Sequence, residues 1–284
     1  MRIELDDGPV MVIGGPYSNL RATLAAQAEA GRLGIPPSNV ICTGDVVAYC
    51  AEPEETARAV ADWGCHVIQG NCEQQLAAGA ADCACNFEEG SACDMLAKGW
   101  YPFAASRISE EMRQWMGRLP ETLTFTVRNL AFRVVHGGTN EVSRWVFASQ
   151  TETIAEECGL ADADVVIAGH CGLPFIARSK GRTWFNAGVV GMPANDATTD
   201  VWYGLITPDD RGVGLSTHRL AYDHHGAAAI MRRFGHANGY ARTLVTGLWP
   251  SLDILPDRER AETGEKLRRR TLRVSARTLM DVVP

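Results

Sequence analysis

Apolar positions along this chain follow two rhythms. Short runs rich in β-branched residues, Val10-Met11-Val12-Ile13, Val40-Ile41-Cys42, Val67-Ile68, Phe132-Arg133-Val134-Val135 and Val165-Val166-Ile167-Ala168, each end at a glycine-bearing loop. Such runs read as buried strands. Between the early ones, helical spacing marks residues 20–32, 53–63 behind Pro53, and a stretch beginning at Gln74. That alternation over residues 10–69 predicts a parallel sheet. A helix over 109–118 precedes a strand pair at 123–127 and 130–135, and a helix over 151–158 precedes the strand at 165. The β-like pieces at 175–178, 183–186, 202–206 and 213–219 follow at short intervals and predict a second sheet that is largely antiparallel. Helices over 225–234 and 238–247 lead into a dense mix of charges at 257–270, expected to be a solvated helix or arm. Residues 81–105 fit neither rhythm and read as a long ordered loop with little regular structure.

Four of the strand ends carry a side chain able to bind a metal beside a glycine: Gly44-Asp45, Gly70-Asn71, His136-Gly137 and Gly169-His170. A ligand just past a strand end sits on the loop rim where α/β sheets gather their ligands. One carboxylate, one amide oxygen and two imidazoles are therefore expected to converge. That set suits zinc, manganese or iron and leaves positions open for water or substrate. The N-terminal strand runs instead into Gly14-Gly15-Pro16-Tyr17-Ser18-Asn19, which carries no strong ligand.

Composition narrows the setting. A chain of 284 residues with a formal net charge of −7 lacks the basic field that a sequence-independent nucleic-acid grip requires. The start Met1-Arg2-Ile3-Glu4-Leu5-Asp6-Asp7 lacks the pattern of a signal peptide, and no apolar run is long enough for a bilayer. A cytoplasmic protein without a membrane contact is expected. Nine cysteines, an odd number, point to thiols rather than a disulfide framework. Cys42, Cys50, Cys65 and Cys158 read as packing residues. His66, His218, His224, His225 and His236 lack the strand-end context of a ligand.

The order of the motifs resembles the calcineurin-like metallophosphoesterase family, especially its small bacterial phosphodiesterase-like branch, from residue 10 to about 250. Family members carry an Asp-x-His loop, a Gly-Asp loop, a Gly-Asn-His/Cys-Asp/Glu loop, a lone His and a Gly-His-x-His loop. Here these stand as Gly15-Pro16-Tyr17, Gly44-Asp45, Gly70-Asn71-Cys72-Glu73, His136 and Gly169-His170-Cys171-Gly172. The segment Asn186-Ala187-Gly188-Val189-Val190-Gly191-Met192-Pro193 is similar to a further family loop. The resemblance implies a four-layer αββα sandwich, two mixed β-sheets flanked by helices, over residues 1–222. A helical extension and charged tail over 223–284 is expected to pack on the same domain.

The resemblance also implies roles. One metal of the family's pair is held at the positions of Asp45, Asn71, His136 and His170, all kept. The ligands private to the other metal fall on Gly15, Tyr17 and Gly172, so all three are missing together. Tyr17 would ligate only as a phenolate. Cys72 stands where many relatives place a histidine near the leaving group, and Cys171 adjoins the lost position. Cys83, Cys85 and Cys93 follow Asn71 closely enough to complete a second site, hold a structural metal or pack. Asn19 would orient substrate or cap the following helix. Glu73 would support a ligating histidine or open a helix, and Arg144 and Trp145 would contact a phosphate or a base, or pack.

The reading that follows is a metal-dependent phosphoesterase, a phosphomonoesterase or phosphodiesterase, with Asn71, Cys72 and His136 in catalytic roles. It would hydrolyse a small phosphate ester with a metal-bound hydroxide at a one-metal or rebuilt site, with one divalent manganese, zinc or iron ion. Its partner would be that small phosphorylated substrate. An inactive binding or regulatory relative, and a cysteine-assisted metal centre with different chemistry, are the competing readings.

Overall fold

A computed structural model describes residues 1–235 and 238–275, so His236 and the end of the charged tail lie outside the described residues. Two β-sheets pack face to face. The first runs in the order β11-β10-β9-β1-β2-β3, built from β1 Val10–Ile13, β2 Val40–Cys42, β3 His66–Val67, β9 Val201–Asp209, β10 Gly212–Leu220 and β11 Thr271–Val274. The second runs β4-β5-β6-β8-β7, from β4 Leu123–Val127, β5 Leu130–Val134, β6 Val165–Ala168, β7 Pro174–Ser179 and β8 Arg182–Ala187. Both are mixed. Strands β1, β2 and β3 are parallel, as are β5, β6 and β8, while the flanking pairs run antiparallel.

The period-two alternation of each strand explains the layering. Val10 and Val12 face Phe132, Val134, Val165, Ile167 and Phe185 between the sheets. Met11 and Ile13 face the other way, into a core shared with the helices α1 Leu20–Arg32, α2 Pro53–Trp63 and α3 Asn71–Ala78. That outer layer is completed by α4 Ala92–Ala105, α5 Glu110–Arg118, α7 His224–Phe234 and α8 Asn238–Thr246. On the far face of the second sheet, Val166, Ala168 and Trp184 pack against α6 Thr151–Leu160 and against Leu255. The arrangement is the four-layer αββα sandwich. No helix of the described residues is long and apolar enough to cross a membrane.

Three local expectations need correction. The four strand-like pieces after residue 175 do not form one antiparallel sheet. They divide into two hairpins, with β7 and β8 joining the second sheet and β9 and β10 joining the first. Local sequence specifies a hairpin but not the sheet whose edge receives it. Residues 81–105 are not all loop, because Ser91 caps α4 by accepting from the Asp94 amide at 3.2 Å, and Trp100, Tyr101 and Ala104 are buried along one face of that helix. The charged stretch 257–270 forms one short helix, α9 Asp257–Ala261, and leads into β11, whose pairing with β10 no alternation in the sequence announced.

At Gly204 in β9 the first sheet lies against the second, and an added Cβ would meet Cζ of Phe185 at 2.5 Å. Substituting Gly204→Ala is expected to destabilise the fold by about 1–3 kcal/mol through overpacking. Urea unfolding should give a lower midpoint at unchanged slope; an unmoved midpoint would mean that the sheets separate without cost.

Candidate metal centre

Each potential ligand hangs beyond the carboxyl end of a parallel strand. Asp45 follows β2, Asn71 opens α3 after β3, His136 follows β5 and His170 follows β6. Two ligands thus come from each sheet, and the sandwich itself brings them together. His136 Nε2 lies 3.2 Å from Asp45 Oδ2, 3.2 Å from Asn71 Oδ1 and 3.1 Å from His170 Nδ1. His170 Nδ1 is 3.9 Å from the same Asp45 oxygen. All four side chains are buried. Among the described residues, Asp45, His136 and His170 are the only three His, Cys, Asp or Glu side chains that gather closely enough to hold a metal.

The hydrogen bonds around this cluster decide which atoms face inward. His136 Nδ1 lies 2.6 Å from the Thr43 carbonyl, which only accepts, so Nδ1 carries the proton and Nε2 presents its lone pair to the centre. The Asn71 amide nitrogen donates to the Cys83 carbonyl at 2.8 Å and to Cys85 Sγ at 3.2 Å, which turns its Oδ1 inward. Asp45 Oδ2, Asn71 Oδ1 and the His136 lone pair are therefore mutual acceptors in a dry space. Acceptors so placed repel one another unless a proton on His136 Nε2 or a cation sits between them. The donor set fits a divalent ion of borderline character bound through two nitrogens and two oxygens.

The titration of the cluster follows the same logic. Burial opposes ionisation of Asp45, but the His136 charge, its hydrogen bond and the bond with His170 outweigh it and hold the carboxyl far below its usual range. Burial opposes charge on His136 too, and Asp45 overcomes it, raising this histidine. His170 is lowered, by burial first. Of the two imidazoles, His136 is the one that holds a proton more readily.

The backbone that delivers these groups is strained. Gly44 (φ 91°) and Asp45 (φ 55°) both lie in the left-handed region. Glu73, fully buried, holds them there: its carboxylate accepts from the amides of Asp45 at 2.7 Å, Val46 at 2.8 Å and Gly70 at 2.9 Å. Burial first, then the Asp45 charge, pushes its pKa up to about 7. Glu73 thus orients the Asp45 loop and caps α3, where a histidine partner was one of the sequence expectations. Gly70 leaves the necessary space, since a Cβ there would meet Asp45 Oδ1 at 2.4 Å.

The other half of the rim is apolar. A Cβ on Gly15 would meet the Tyr17 ring at 2.5 Å, so that ring covers the glycine. Burial, then Asp45, raises the Tyr17 phenol well above its usual range and keeps it protonated. A Cβ on Gly172 would meet the Trp249 ring at 3.3 Å. Tyr17 and Trp249 thus stand over two of the three positions that lack a ligand. Trp249 is fixed by a 2.7 Å bond from its Nε1 to the Pro193 carbonyl. Nothing in the sequence linked position 249 to this rim, and Tyr49 and Tyr240 reach it equally unannounced.

The cysteines do not assemble a second centre among the described residues. Cys83 and Cys85 form a disulfide, which departs from the expectation of thiols throughout. Cys93, Cys72 and Cys171 are buried singly. Burial and then Asp45 raise Cys72 well above a normal thiol, and burial pushes Cys171 up to about 12. Cys171 accepts from Asn186 Nδ2 at 3.2 Å, and the Cys72 amide faces Asp45 Oδ1 at 3.4 Å. Asn19 caps α1 through a 3.2 Å bond from the Ala22 amide and ties Gly191 with its own amide nitrogen at 3.0 Å. Arg144 is engaged by Glu156 at 2.7 Å and Glu157 at 2.8 Å, while Trp145 lies on His170 with ring centroids 3.9 Å apart.

Comparison with known proteins agrees with this geometry. The profile of the calcineurin-like phosphoesterase superfamily domain matches residues 20–210. An uncharacterised protein of Methanocaldococcus jannaschii is 21% identical over 231 residues, covering 75% of this chain and 88% of its own length. A metallophosphoesterase from Sphaerobacter thermophilus superposes with a TM-score of 0.67 at 20% identity, covering 86% of this chain and 100% of its own. A hypothetical protein from Pyrococcus horikoshii OT3 gives 0.72 at 16% identity, with coverage of 88% and 100%. At these identities the two solved structures speak for the fold.

Substituting Glu73→Gln leaves one acceptor oxygen for three buried amides. Stability is expected to fall by about 1–3 kcal/mol, and manganese affinity by about 10–100-fold. Thermal unfolding and metal titration of the same preparation measure both; unchanged metal affinity would mean that the Asp45 loop holds its shape without Glu73.

Proposed function

The chain belongs to the calcineurin-like phosphoesterase superfamily, and from that membership we propose a metal-dependent phosphoesterase that works with a single divalent cation held by Asp45, Asn71, His136 and His170. The observation that supports this reading is the convergence of Asp45 Oδ2, Asn71 Oδ1 and two imidazole nitrogens on one buried point at the shared rim of two sheets, a donor set that a divalent cation fits. When bound, a divalent ion supplies concentrated positive charge that polarises a phosphoryl oxygen and acidifies water. The chain's own residues do the rest. Thr43 fixes the tautomer of His136, and the Cys83 carbonyl fixes the Asn71 amide. Glu73 and the Cys72 amide hold Asp45. The Cys72 side chain, a neutral buried thiol, excludes water beside Asn71.

Purified without added metal, the protein is expected to carry about one equivalent of manganese, zinc or iron, lost in His136→Ala and His170→Ala. Elemental analysis measures this; a metal content near zero in the wild type, unchanged in both variants, overturns the reading.

A second prediction concerns the leaving group. Among the acids that feel the Asp45 charge, Cys72 and Tyr17 at the rim are both raised by burial first and by that charge second. Neither gives up a proton readily, and general-acid assistance is ordinarily worth about 10²–10⁴-fold. Hydrolysis should therefore depend steeply on leaving-group acidity, with 4-nitrophenyl phosphate turned over at least about 100 times faster than phenyl phosphate. Equal rates for the two esters would reveal a proton donor that this assignment lacks.

The apolar cover over Gly15 and Gly172 favours one alternative, a binding protein that has given up hydrolysis. A preparation that holds its metal yet turns over no phosphate ester, activated aryl esters included, would establish that alternative.

A further inference from the structure

A slot of about 50 Å³ opens against the metal centre, with His170, Cys171 and Gly172 in its wall. Tyr17, Tyr49, Tyr240, Trp145 and Trp249 line it together with smaller, mostly apolar side chains, and no lysine or arginine among the described residues does. The rings brace one another: Tyr17 meets Tyr49 edge-on at 4.7 Å between centroids, and Tyr49 meets Tyr240 at 4.6 Å. Trp145 extends the wall to the centre by its 3.9 Å contact with His170. Its Nε1 is buried without a hydrogen-bond partner.

Three features limit what enters. Without a cationic side chain, the slot offers a phosphate dianion no counter-charge, so the phosphoryl group belongs at the Asp45, Asn71, His136 and His170 cluster and the slot takes a neutral part of the same molecule. Flat aromatic walls favour a flat aromatic guest through offset and edge contacts. Size sets the last limit, since a slot of about 50 Å³ suits a small flat group rather than an extended one.

We propose that this slot is a substrate subsite for a single planar six-membered ring carried on a phosphate ester, with the ring among Tyr17, Tyr49, Trp145, Tyr240 and Trp249 and the phosphate at the cation. The assignment rests on the one-cation phosphoesterase reading for the placement of the phosphate. The ring arrives either as an aryl group or as a pyrimidine, and the test separates these sources. Loss of the ligands at Gly15, Tyr17 and Gly172 and gain of the slot are then one change: a charged half-site has become a side pocket that sorts substrates by shape.

The test is calorimetric titration of the manganese-loaded protein with methylphosphonate, phenylphosphonate, 1-naphthylphosphonate and uridine 5′-monophosphate. A ring-bearing ligand is expected to bind at least about tenfold tighter than methylphosphonate, and the two-ring naphthyl compound to lose that advantage. Preference for phenylphosphonate assigns an aryl source, and preference for the nucleotide assigns a pyrimidine. Trp249→Ala should erase the advantage, measured against methylphosphonate on the same variant. Ser251→Trp, which fills the slot from a partly exposed lining position without removing a buried side chain, should do the same. Equal affinity for methyl and ring-bearing ligands, tighter binding of the naphthyl compound, or an advantage that survives both substitutions overturns the subsite. Turnover assays on the same preparations keep the two readings apart. Ring preference without hydrolysis refutes the phosphoesterase reading and leaves the subsite standing, whereas hydrolysis without ring preference does the reverse.

Discussion

Acceptor atoms brought within about 3 Å of one another in a dry interior repel unless positive charge lies between them. Asp45, Asn71 and His136 meet in that way, and much of the surrounding structure exists to make them. The Thr43 carbonyl removes the one donor that His136 would otherwise turn inward, and Cys83 and Cys85 occupy the donor side of the Asn71 amide. Glu73 gathers three amides so that a left-handed backbone at Gly44 and Asp45 persists. Each contact is modest by itself. Together they hold a geometry whose electrostatic cost is recovered when a cation binds.

The opposite side of the rim follows a different chemistry. Where ligands private to a second metal would stand, Gly15 lies under Tyr17 and Gly172 under Trp249. A glycine without a filling neighbour would leave a void or a pool of water, and protein interiors tolerate few voids. Here aromatic rings close over the backbone and stop short of filling the space completely. The centre is therefore asymmetric, with charge-binding groups on one flank and neutral rings on the other. On the proposed reading, such a site would discriminate among phosphate esters by the part that carries no charge.

Much of the architecture was legible in the sequence because it rests on local rules. The β-branched runs ending in glycine marked β1, β2, β5 and β6, and the helical spacing marked α1, α2 and α5. The convergence of Asp45, Asn71, His136 and His170 was legible for the same reason: a parallel strand delivers the residue beyond its carboxyl end to a common rim. Hairpin placement was not legible, since β7 with β8 and β9 with β10 share the same local pattern yet join different sheets. The helix α4 was hidden by Gly99 and Pro102 within it, although its apolar face and the Ser91 cap sustain it.

Sequence alone thus determined which residues present metal-binding atoms, in what order and at the ends of which strands, because those properties follow from residue type and strand polarity; that the positions of Gly15, Tyr17 and Gly172 lack ligands as a set is what the family resemblance implied. The direction of the Asn71 amide, the tautomer of His136 and the role of Glu73 were decided by contacts between segments far apart in the chain. So was the aromatic slot, where Tyr17, Tyr49, Trp145, Tyr240 and Trp249 meet from five places in the sequence. Aromatic packing carries no local period and no pairing code, so only the folded chain reveals which rings share a wall.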